Sequence, residues 1–237
     1  MRSSSVAWLA QMAGYASTTL QGGYKTYRNY VLQSFHSSIN LKIIGGYTGS
    51  GKTIILEELK KQGEQIINLE HLAHHKGSAF GAFGQEKQPT QEQFENNLCA
   101  AFAQLNPKQA IWIEDESRLI GNNVLPPPLW LQMRTAPLFF VEVPTDVRVE
   151  RLTQEYGKFS QEQLIAATTR IGKRLGGQHL KAATQAIHNN DLKRACHIIL
   201  TYYDKTYSYG LSLRKQDHVK TIKPEIINPT EIVKLLL

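Results

Sequence analysis

Hydrophobic positions along most of the chain fall into two patterns, short continuous apolar runs and longer stretches with helical spacing. From residue 41 onward the apolar runs predict strands at 41–45, 65–69, 110–113, 138–143 and 218–223. Apolar positions three and four residues apart predict helices at 53–62, 91–105, 146–156, 161–175, 178–189, 191–203 and 229–237. Strands that alternate with helices are typical of a parallel sheet covered on both faces. We expect an α/β fold with a helical C-terminal region, and a stiff surface turn at the proline run 126–128.

The first 38 residues follow a different pattern. Helices are expected at 3–14 and 24–35, with a strand at 16–20 between them. Two helices and one strand cannot enclose a core, so this segment is interpreted as the tail of a larger domain. We therefore divide the chain into a remnant at 1–38 and a main domain at 39–237.

Composition places the chain among folded proteins, with 237 residues, 41% of them hydrophobic and 20% charged. No apolar run approaches the roughly 18–20 residues that span a bilayer, and the start makes a poor signal peptide, so we expect a cytoplasmic protein without membrane contact. Cys99 and Cys196 lie in apolar helical patterns, which predicts buried, reduced and inert thiols. The formal charge of +7 permits a polyanionic partner such as RNA without establishing one.

Residues 46–53 read Gly-Tyr-Thr-Gly-Ser-Gly-Lys-Thr and fit the pattern G-x-x-x-x-G-K-[ST]. The motif follows a predicted strand and opens a predicted helix. Backbone N–H groups and the positive end of that helix would then converge on one anion. The fold is expected to be P-loop NTPase-like. The residues assigned to this phosphate or diphosphate site are Gly46, Thr48, Gly49, Ser50, Gly51, Lys52 and Thr53.

Three acidic residues, Glu114, Asp115 and Glu116, follow the third predicted strand. Glu114 and Asp115 are the candidate catalytic residues, because one carboxylate could hold Mg²⁺ together with the Thr53 hydroxyl while a second acts as a base. Which of the two faces the site stays open at this point. A helix N-cap would account for one of the acids without any chemistry.

A long loop follows the second predicted strand, where open α/β sheets place substrate-binding residues. Its phenylalanines, Phe80 and Phe83, suit a flexible lid with an apolar side, and an ordinary surface loop is the alternative. Its three histidines lack cysteine or carboxylate partners at ligand spacing, which disfavours a metal. The residues assigned to this substrate loop are Glu70, His71, Lys76, Ser78 and Phe80.

The densest basic stretch contains Arg170, Lys173 and Arg174, which would share one face of a continuous helix. Three interpretations stay open: a clamp on phosphates, a contact with the RNA backbone, or a solvated surface. Arg148 and Arg151 could extend the same surface. The tyrosines near the end of the predicted helix 191–203 are expected to be core residues rather than platforms for unpaired bases.

Several of these segments occur in the same order in one known family. Those at 45–53, 69–73, 76–81, 112–118, 170–177 and 203–207 together resemble the bacterial tRNA 2-selenouridine synthases. The resemblance covers essentially the whole chain and adds Arg118 to the candidate clamp on tRNA or phosphate.

The resemblance implies a rhodanese-like domain joined to a P-loop domain, and a transferase that acts on tRNA. Such an enzyme replaces the sulfur of 2-thiouridine, at the wobble position of the anticodon, by selenium from selenophosphate. Geranyl diphosphate is a second co-substrate, and its diphosphate would fit the phosphate loop while the Phe80 loop shelters the prenyl chain. No cofactor is expected to be tightly bound.

The same resemblance places the family's rhodanese cysteine several residues before Met1, so that 1–38 would be the end of that domain. Selenium transfer would then require a separate rhodanese-like chain and a source of selenophosphate, whereas geranyl transfer and tRNA binding could be retained. Two other functions fit the motifs: a small-molecule or nucleotide kinase, and a tRNA-binding remnant without activity.

Overall fold

The computed structural model describes residues 2–225 and 227–237 and confirms the predicted α/β fold. The strands are β1 (Leu41–Gly45), β2 (Gln65–Ile67), β3 (Ile111–Glu114), β4 (Leu119–Ile120), β5 (Asn123–Val124), β6 (Leu138–Val141) and β7 (Val219–Ile222). Within these described residues, five strands form one parallel sheet in the order β2-β3-β1-β6-β7, and β4 pairs with β5 in an antiparallel ribbon. The two central strands, β1 and β3, bring their carboxyl ends side by side.

Helices precede, connect and follow the strands. They are α1 (Arg2–Met12), α2 (Gly23–Ser34), α3 (Lys52–Lys61), α4 (Leu69–Ala73), α5 (Gln91–Ala103), α6 (Pro127–Thr135), α7 (Thr145–Tyr156), α8 (Gln161–Arg170), α9 (Gly172–Leu175), α10 (Gly177–His188), α11 (Leu192–Ser212) and α12 (Pro229–Leu236). Thr90 caps α5 by accepting a hydrogen bond from the Gln93 N–H, as expected for a threonine at that position. No described helix is long and apolar enough to cross a lipid bilayer.

Alternate residues of the central strands supply cores on both faces of the sheet, because successive strand side chains point in opposite directions. Ile43 packs with side chains of α2, α5 and α6, whereas its neighbour Ile44 packs with side chains of α3 and α12. Both isoleucines are 0% exposed. A further core lies outside the sheet, where α8, α9, α10 and α11 pack around Phe80.

Several predicted elements are wrong, and each has a physical reason. Residues 16–20 form no strand, because a strand needs a hydrogen-bonded neighbour and no described strand lies beside them. The proline run begins α6 instead of making a turn, since the fixed φ of proline suits the first helical turn. The single helix predicted at 161–175 is broken at Ile171, where Gly172 lets Leu180 of α10 pack against the backbone.

Helix α2 belongs to the core around the sheet. Val31 and Phe35 are buried there, and the Phe35 carbonyl accepts a hydrogen bond from Gln132 of α6. Arg28 pairs with Glu95 of α5. The division into 1–38 and 39–237 stays a prediction, but a cooperative link between α2 and the main domain follows from these contacts.

Replacing Phe35 by Ala is expected to lower the free energy of unfolding by about 3–5 kcal/mol, because the side chain is 1% exposed and its removal leaves a cavity. Tyr30→Ala on the same helix, with Tyr30 60% exposed, is the matched control and should change it by about 0.5 kcal/mol or less. Urea unfolding followed by circular dichroism measures both. A loss below about 1 kcal/mol for Phe35→Ala would contradict a single cooperative unit.

Candidate functional site

The phosphate loop, residues 46–53, joins β1 to α3 at the carboxyl edge of the sheet. Gly49 and Gly51 have φ angles of 83° and 86°, which favour glycine, and a side chain at Gly49 would collide with Leu152. No side chain of the described residues caps the start of α3, so its first N–H groups are available to an anion. The Ser50 hydroxyl is buried and makes no hydrogen bond with the described protein. These features suit a bound phosphate, whose oxygens would accept hydrogen bonds from the first N–H groups of α3 and from the Ser50 hydroxyl.

Lys52 lies inside this loop, with its Nζ 3.4 Å from the Gly46 carbonyl and 3.7 Å from the Glu116 carboxylate. Burial lowers the pKa of Lys52, but the negative charges of Glu116 and three further carboxylates outweigh it and raise that pKa. Burial also raises the pKa of Glu116 to about 7, against the opposing effect of Lys52. Lys52 is therefore charged, and Glu116 changes its own charge near neutral pH.

Glu114, Glu70 and Thr53 form a chain of hydrogen bonds beside Lys52. The Thr53 hydroxyl donates to Glu70 Oε2 (2.9 Å), and the Glu70 N–H donates to Glu114 Oε1 (2.8 Å). Glu114 is 0% exposed and its Oε2 makes no hydrogen bond with a described residue. Burial, followed by the charge of Glu70, raises the pKa of Glu114 well above its usual range. A buried carboxylate with a raised pKa favours binding a proton or a cation.

Asp115 is turned to the other side of β3 and has its own partners. Its Oδ2 accepts a hydrogen bond from the Tyr207 hydroxyl (2.7 Å), and its Oδ1 accepts one from Arg214 Nη2 (2.6 Å). The same Tyr207 hydroxyl accepts from the Gly46 N–H (3.1 Å). Of the two candidate acids, Glu114 therefore lies beside Thr53 and Glu70, and Asp115 braces the loop from behind. Tyr207 was not among the predicted site residues, although it lies in the segment 203–207 that contributes to the family resemblance.

Arg148 of α7 is buried rather than part of a basic surface, which corrects the sequence-based expectation. Its guanidinium makes two hydrogen bonds to the Asp204 carboxylate (2.9 and 2.7 Å) and a third to the Thr48 carbonyl (3.1 Å). Burying the guanidinium is tolerable because the bidentate carboxylate compensates its charge. Arg151, one turn further on, donates to the Gly49 carbonyl (2.8 Å). Both arginines hold the outer side of the phosphate loop.

The loop after β2 brings some of its predicted residues to the site. Glu70 lies there, and Lys76 pairs with Glu155 of α7. His71 is exposed, with its N–H capped by Asn68, and the Ser78 hydroxyl accepts from the Phe80 N–H. Among the described residues, no group of three or more His, Cys, Asp or Glu side chains is arranged to hold a metal ion.

Phe80 does not sit on an exposed lid. Its side chain is 8% exposed and packs in the core of α8–α11, with Phe83 and Tyr156 in ring contact. The Ala79 N–H beside it donates to the Tyr203 hydroxyl of α11 (3.0 Å). The helical core therefore fixes this part of the loop.

An apolar cavity lies against the phosphate loop, between α7, α8, α10 and α11. Its enclosed space is about 70 Å³, and its mouth opens to solvent. Thr48 and Ser78 line it from the loop side, and Leu152, which packs on Gly49, forms part of its wall. Cys196 lines it from α11. An anion site and an apolar cavity thus share one boundary.

The basic residues predicted to clamp tRNA or phosphate are exposed, and the break at Ile171 places Arg170 on α8 and the next two on α9. The expected continuous helix face is therefore wrong. Arg174 donates to the Tyr202 hydroxyl of α11 (3.3 Å). Their role in binding stays a prediction. The exposed members of this set are Arg118, Arg170, Lys173 and Arg174.

The family model of the tRNA 2-selenouridine synthase AAA domain matches residues 39–228. Curated relatives named tRNA 2-selenouridine synthase include those of Shewanella loihica (33% identical over 90% of this chain), Serratia proteamaculans (35% over 88%) and Bdellovibrio bacteriovorus (36% over 81%). The matches cover 64%, 63% and 48% of these relatives, so the chain spans less than two thirds of their length.

The matched stretch contains every strand of the described sheet, the phosphate loop and the helices that line the apolar cavity. The site built above is thus a feature of the matched domain and not of a segment outside it. With a model match over far more than half of its length, the chain belongs to the tRNA 2-selenouridine synthase family through its AAA domain.

Proposed function

We propose that this chain provides the diphosphate-binding and tRNA-binding part of a transferase that modifies the wobble uridine of tRNA. Geranyl diphosphate would bind with its diphosphate in the phosphate loop and its hydrocarbon chain in the apolar cavity. The 2-thiouridine sulfur would attack the first carbon of the geranyl group, and the bond from that carbon to the diphosphate would break. The selenium of selenophosphate would then attack the carbon that bears the geranylated sulfur, geranyl thiolate would leave, and hydrolysis of the selenium–phosphorus bond would release phosphate.

The observation that carries this proposal is the shared boundary between the phosphate loop and the apolar cavity. A nucleotide substrate of a kinase carries a polar ribose and base next to its phosphates. The cavity beside Thr48 is instead walled by Leu152 and by side chains of α10 and α11. Removing apolar surface from water there would favour a hydrocarbon tail by roughly 25 cal/mol per Å². The name of the relatives, tRNA 2-selenouridine synthase, supports tRNA as the substrate and selenium as the element transferred.

The residues of the loop would act on the leaving diphosphate. Negative charge builds up on its oxygens as the carbon–oxygen bond breaks, and Lys52 with the first N–H groups of α3 would stabilise that charge. The Ser50 hydroxyl would add one donor. The cavity would keep water away from the reacting carbon, so that sulfur and not water takes the geranyl group.

A Mg²⁺ ion fits the donor set, because the buried Glu114 carboxylate has an oxygen without a described partner and Glu70 links that carboxylate to the Thr53 hydroxyl by hydrogen bonds. When bound there, the ion would offset the charge of the diphosphate.

Selenium exchange would use a rhodanese-like cysteine other than Cys99 or Cys196. Cys99 is 5% exposed, next to Ser34 of α2. Burial raises the pKa of Cys196 to about 12, so its thiol stays protonated at neutral pH and is a weak nucleophile. We therefore propose that a separate rhodanese-like chain supplies that cysteine.

The function is tested by incubating the chain with 2-thiouridine-containing tRNA and geranyl diphosphate, with and without selenophosphate, and weighing the digested nucleosides by mass spectrometry. We expect a geranylated nucleoside in both samples and selenouridine in neither until a rhodanese-like chain is added. Turnover of ATP on a small acceptor without tRNA would instead establish a kinase. Bound tRNA without any product would indicate an inactive remnant.

Filling the cavity should weaken the prenyl substrate alone. Cys196→Phe is expected to raise the KM for geranyl diphosphate about tenfold, because the ring takes space that the hydrocarbon would occupy. The affinity for inorganic pyrophosphate, which has no tail, should not change. Cys196→Ala is the matched control and should behave like the wild type, since a protonated thiol contributes no chemistry. An unchanged KM in Cys196→Phe would place the tail elsewhere.

Anion binding should depend on pH through Glu116, whose pKa of about 7 is far above the usual range. Above pH 7 its ionised carboxylate holds Lys52 and repels an anion, and below pH 7 the protonated form does neither. Sulfate, which stays fully ionised, should therefore bind about tenfold more tightly at pH 6 than at pH 8. Glu116→Gln should remove this difference. Calorimetry at both pH values measures the sulfate affinity. If the variant shows the same difference between pH 6 and pH 8 as the wild type, Glu116 is not its cause.

A further inference from the structure

Arg151 is placed at the rim of the phosphate loop. Its Nη1 donates to the Gly49 carbonyl (2.8 Å), and a side chain at Gly51 would collide with the guanidinium. The side chain is half-buried, and burial lowers the pKa of Arg151, with Glu155 acting in the opposite direction. A guanidinium that is partly removed from water and tied only to backbone is a strong donor to a phosphate.

The loop has too little positive charge of its own for a diphosphate. Lys52 is the cation inside it, and four carboxylates act on its ammonium group: Glu116, Glu70, Asp115 and Glu114. Glu116 is the nearest, at 3.7 Å. A second phosphate would carry further negative charge into a region already rich in acids, so cations must approach from the rim.

Two cations meet at this rim through one acid. Glu155 lies one turn beyond Arg151 on the same face of α7 and pairs with Lys76. The Lys76 loop borders the phosphate loop, because a side chain at Gly77 would collide with the Glu116 carboxylate. Arg151, Lys76 and Glu155 thus form one charged group, which we call the rim cluster, beside the Lys52–Glu116 pair.

We propose that Arg151 and Lys76 bind the second phosphate of a diphosphate, and that Glu155 pairs with Lys76 and attracts Arg151 while the loop is free. The loop N–H groups and Lys52 take the first phosphate, and the two cations of the rim cluster take the outer one. Arrival of the outer phosphate replaces Glu155 as the partner of Lys76. The site therefore selects diphosphates over single phosphates. This inference rests on the proposed diphosphate function of the loop.

Calorimetric titration of the whole chain with inorganic pyrophosphate and, separately, with orthophosphate tests the rim cluster. Arg151→Gln is expected to raise the Kd for pyrophosphate about tenfold and the Kd for orthophosphate less than about twofold. Lys61→Gln is the matched control, because it removes one positive charge from the exposed far end of α3. It should leave both affinities unchanged. An equal loss for both ligands, or no loss, would overturn the inference.

Glu155→Gln provides a test of opposite sign. It removes the acid that pairs with Lys76 and attracts Arg151, and it leaves both cations in place. Pyrophosphate should therefore bind several-fold more tightly, whereas a purely structural role would weaken binding or leave it as it is. The melting temperature of each variant serves as the folding control. Wild-type chain that binds no pyrophosphate would overturn the proposed function together with this inference. Wild-type binding that Arg151→Gln and Glu155→Gln leave unchanged would overturn the inference alone.

Discussion

The ion pair between the buried Arg148 and the half-buried Asp204 holds the phosphate loop to the helical half of the molecule. Taking a guanidinium out of water is costly, and the pair offsets this cost through two parallel hydrogen bonds. Because Arg148 also donates to the Thr48 carbonyl, the loop cannot move without disturbing α7 and α11. Loss of either partner would leave a charge stranded beside the site.

Helix α11 is consequently the element on which the different parts of the site converge. Tyr207 braces the first glycine of the phosphate loop, Tyr203 fixes the loop after β2, and Cys196 lines the apolar cavity. On its outer side, Tyr202 accepts a hydrogen bond from the exposed Arg174. One rigid helix thus connects the surface on which RNA contacts are predicted with the place where a diphosphate would bind.

Electrostatics and apolar surface divide the work within this small volume. The carboxylates around Lys52 offset its positive charge, so the phosphate loop is not simply cationic. Because the pKa of Glu116 is about 7, the net charge of the site depends on pH. In the proposed function, the apolar cavity next to Thr48 would add affinity for a hydrocarbon that no charge can supply. A ligand with an anionic head and a hydrocarbon tail would fit both the charged loop and the apolar cavity, whereas a purely polar nucleotide would fit only the loop.

Local patterns alone determined the strand at 41–45, a strand that begins at residue 138 and ends at 141 instead of the predicted 143, the cap at Thr90 and the phosphate loop. These features arise from side chains close together in sequence, such as the glycines and Lys52 of one loop. The division of the acids between Glu114 and Asp115 was not predictable, since neighbours in a strand point to opposite faces and only the packed partners tell which face holds the site.

Tertiary structure also decided everything that depends on distant residues. The Tyr207 hydroxyl donates a hydrogen bond to Asp115, 92 positions away in the sequence. Arg148 can be buried because it pairs with Asp204, 56 positions away. The cavity is formed by the packing of four helices. The helix that begins at the proline run is stabilised by burial of its side chains Leu129 and Met133. The local sequence determines which secondary structure a segment favours, and tertiary packing determines which distant residues it contacts. Burial and ion pairing join residues that no local pattern relates.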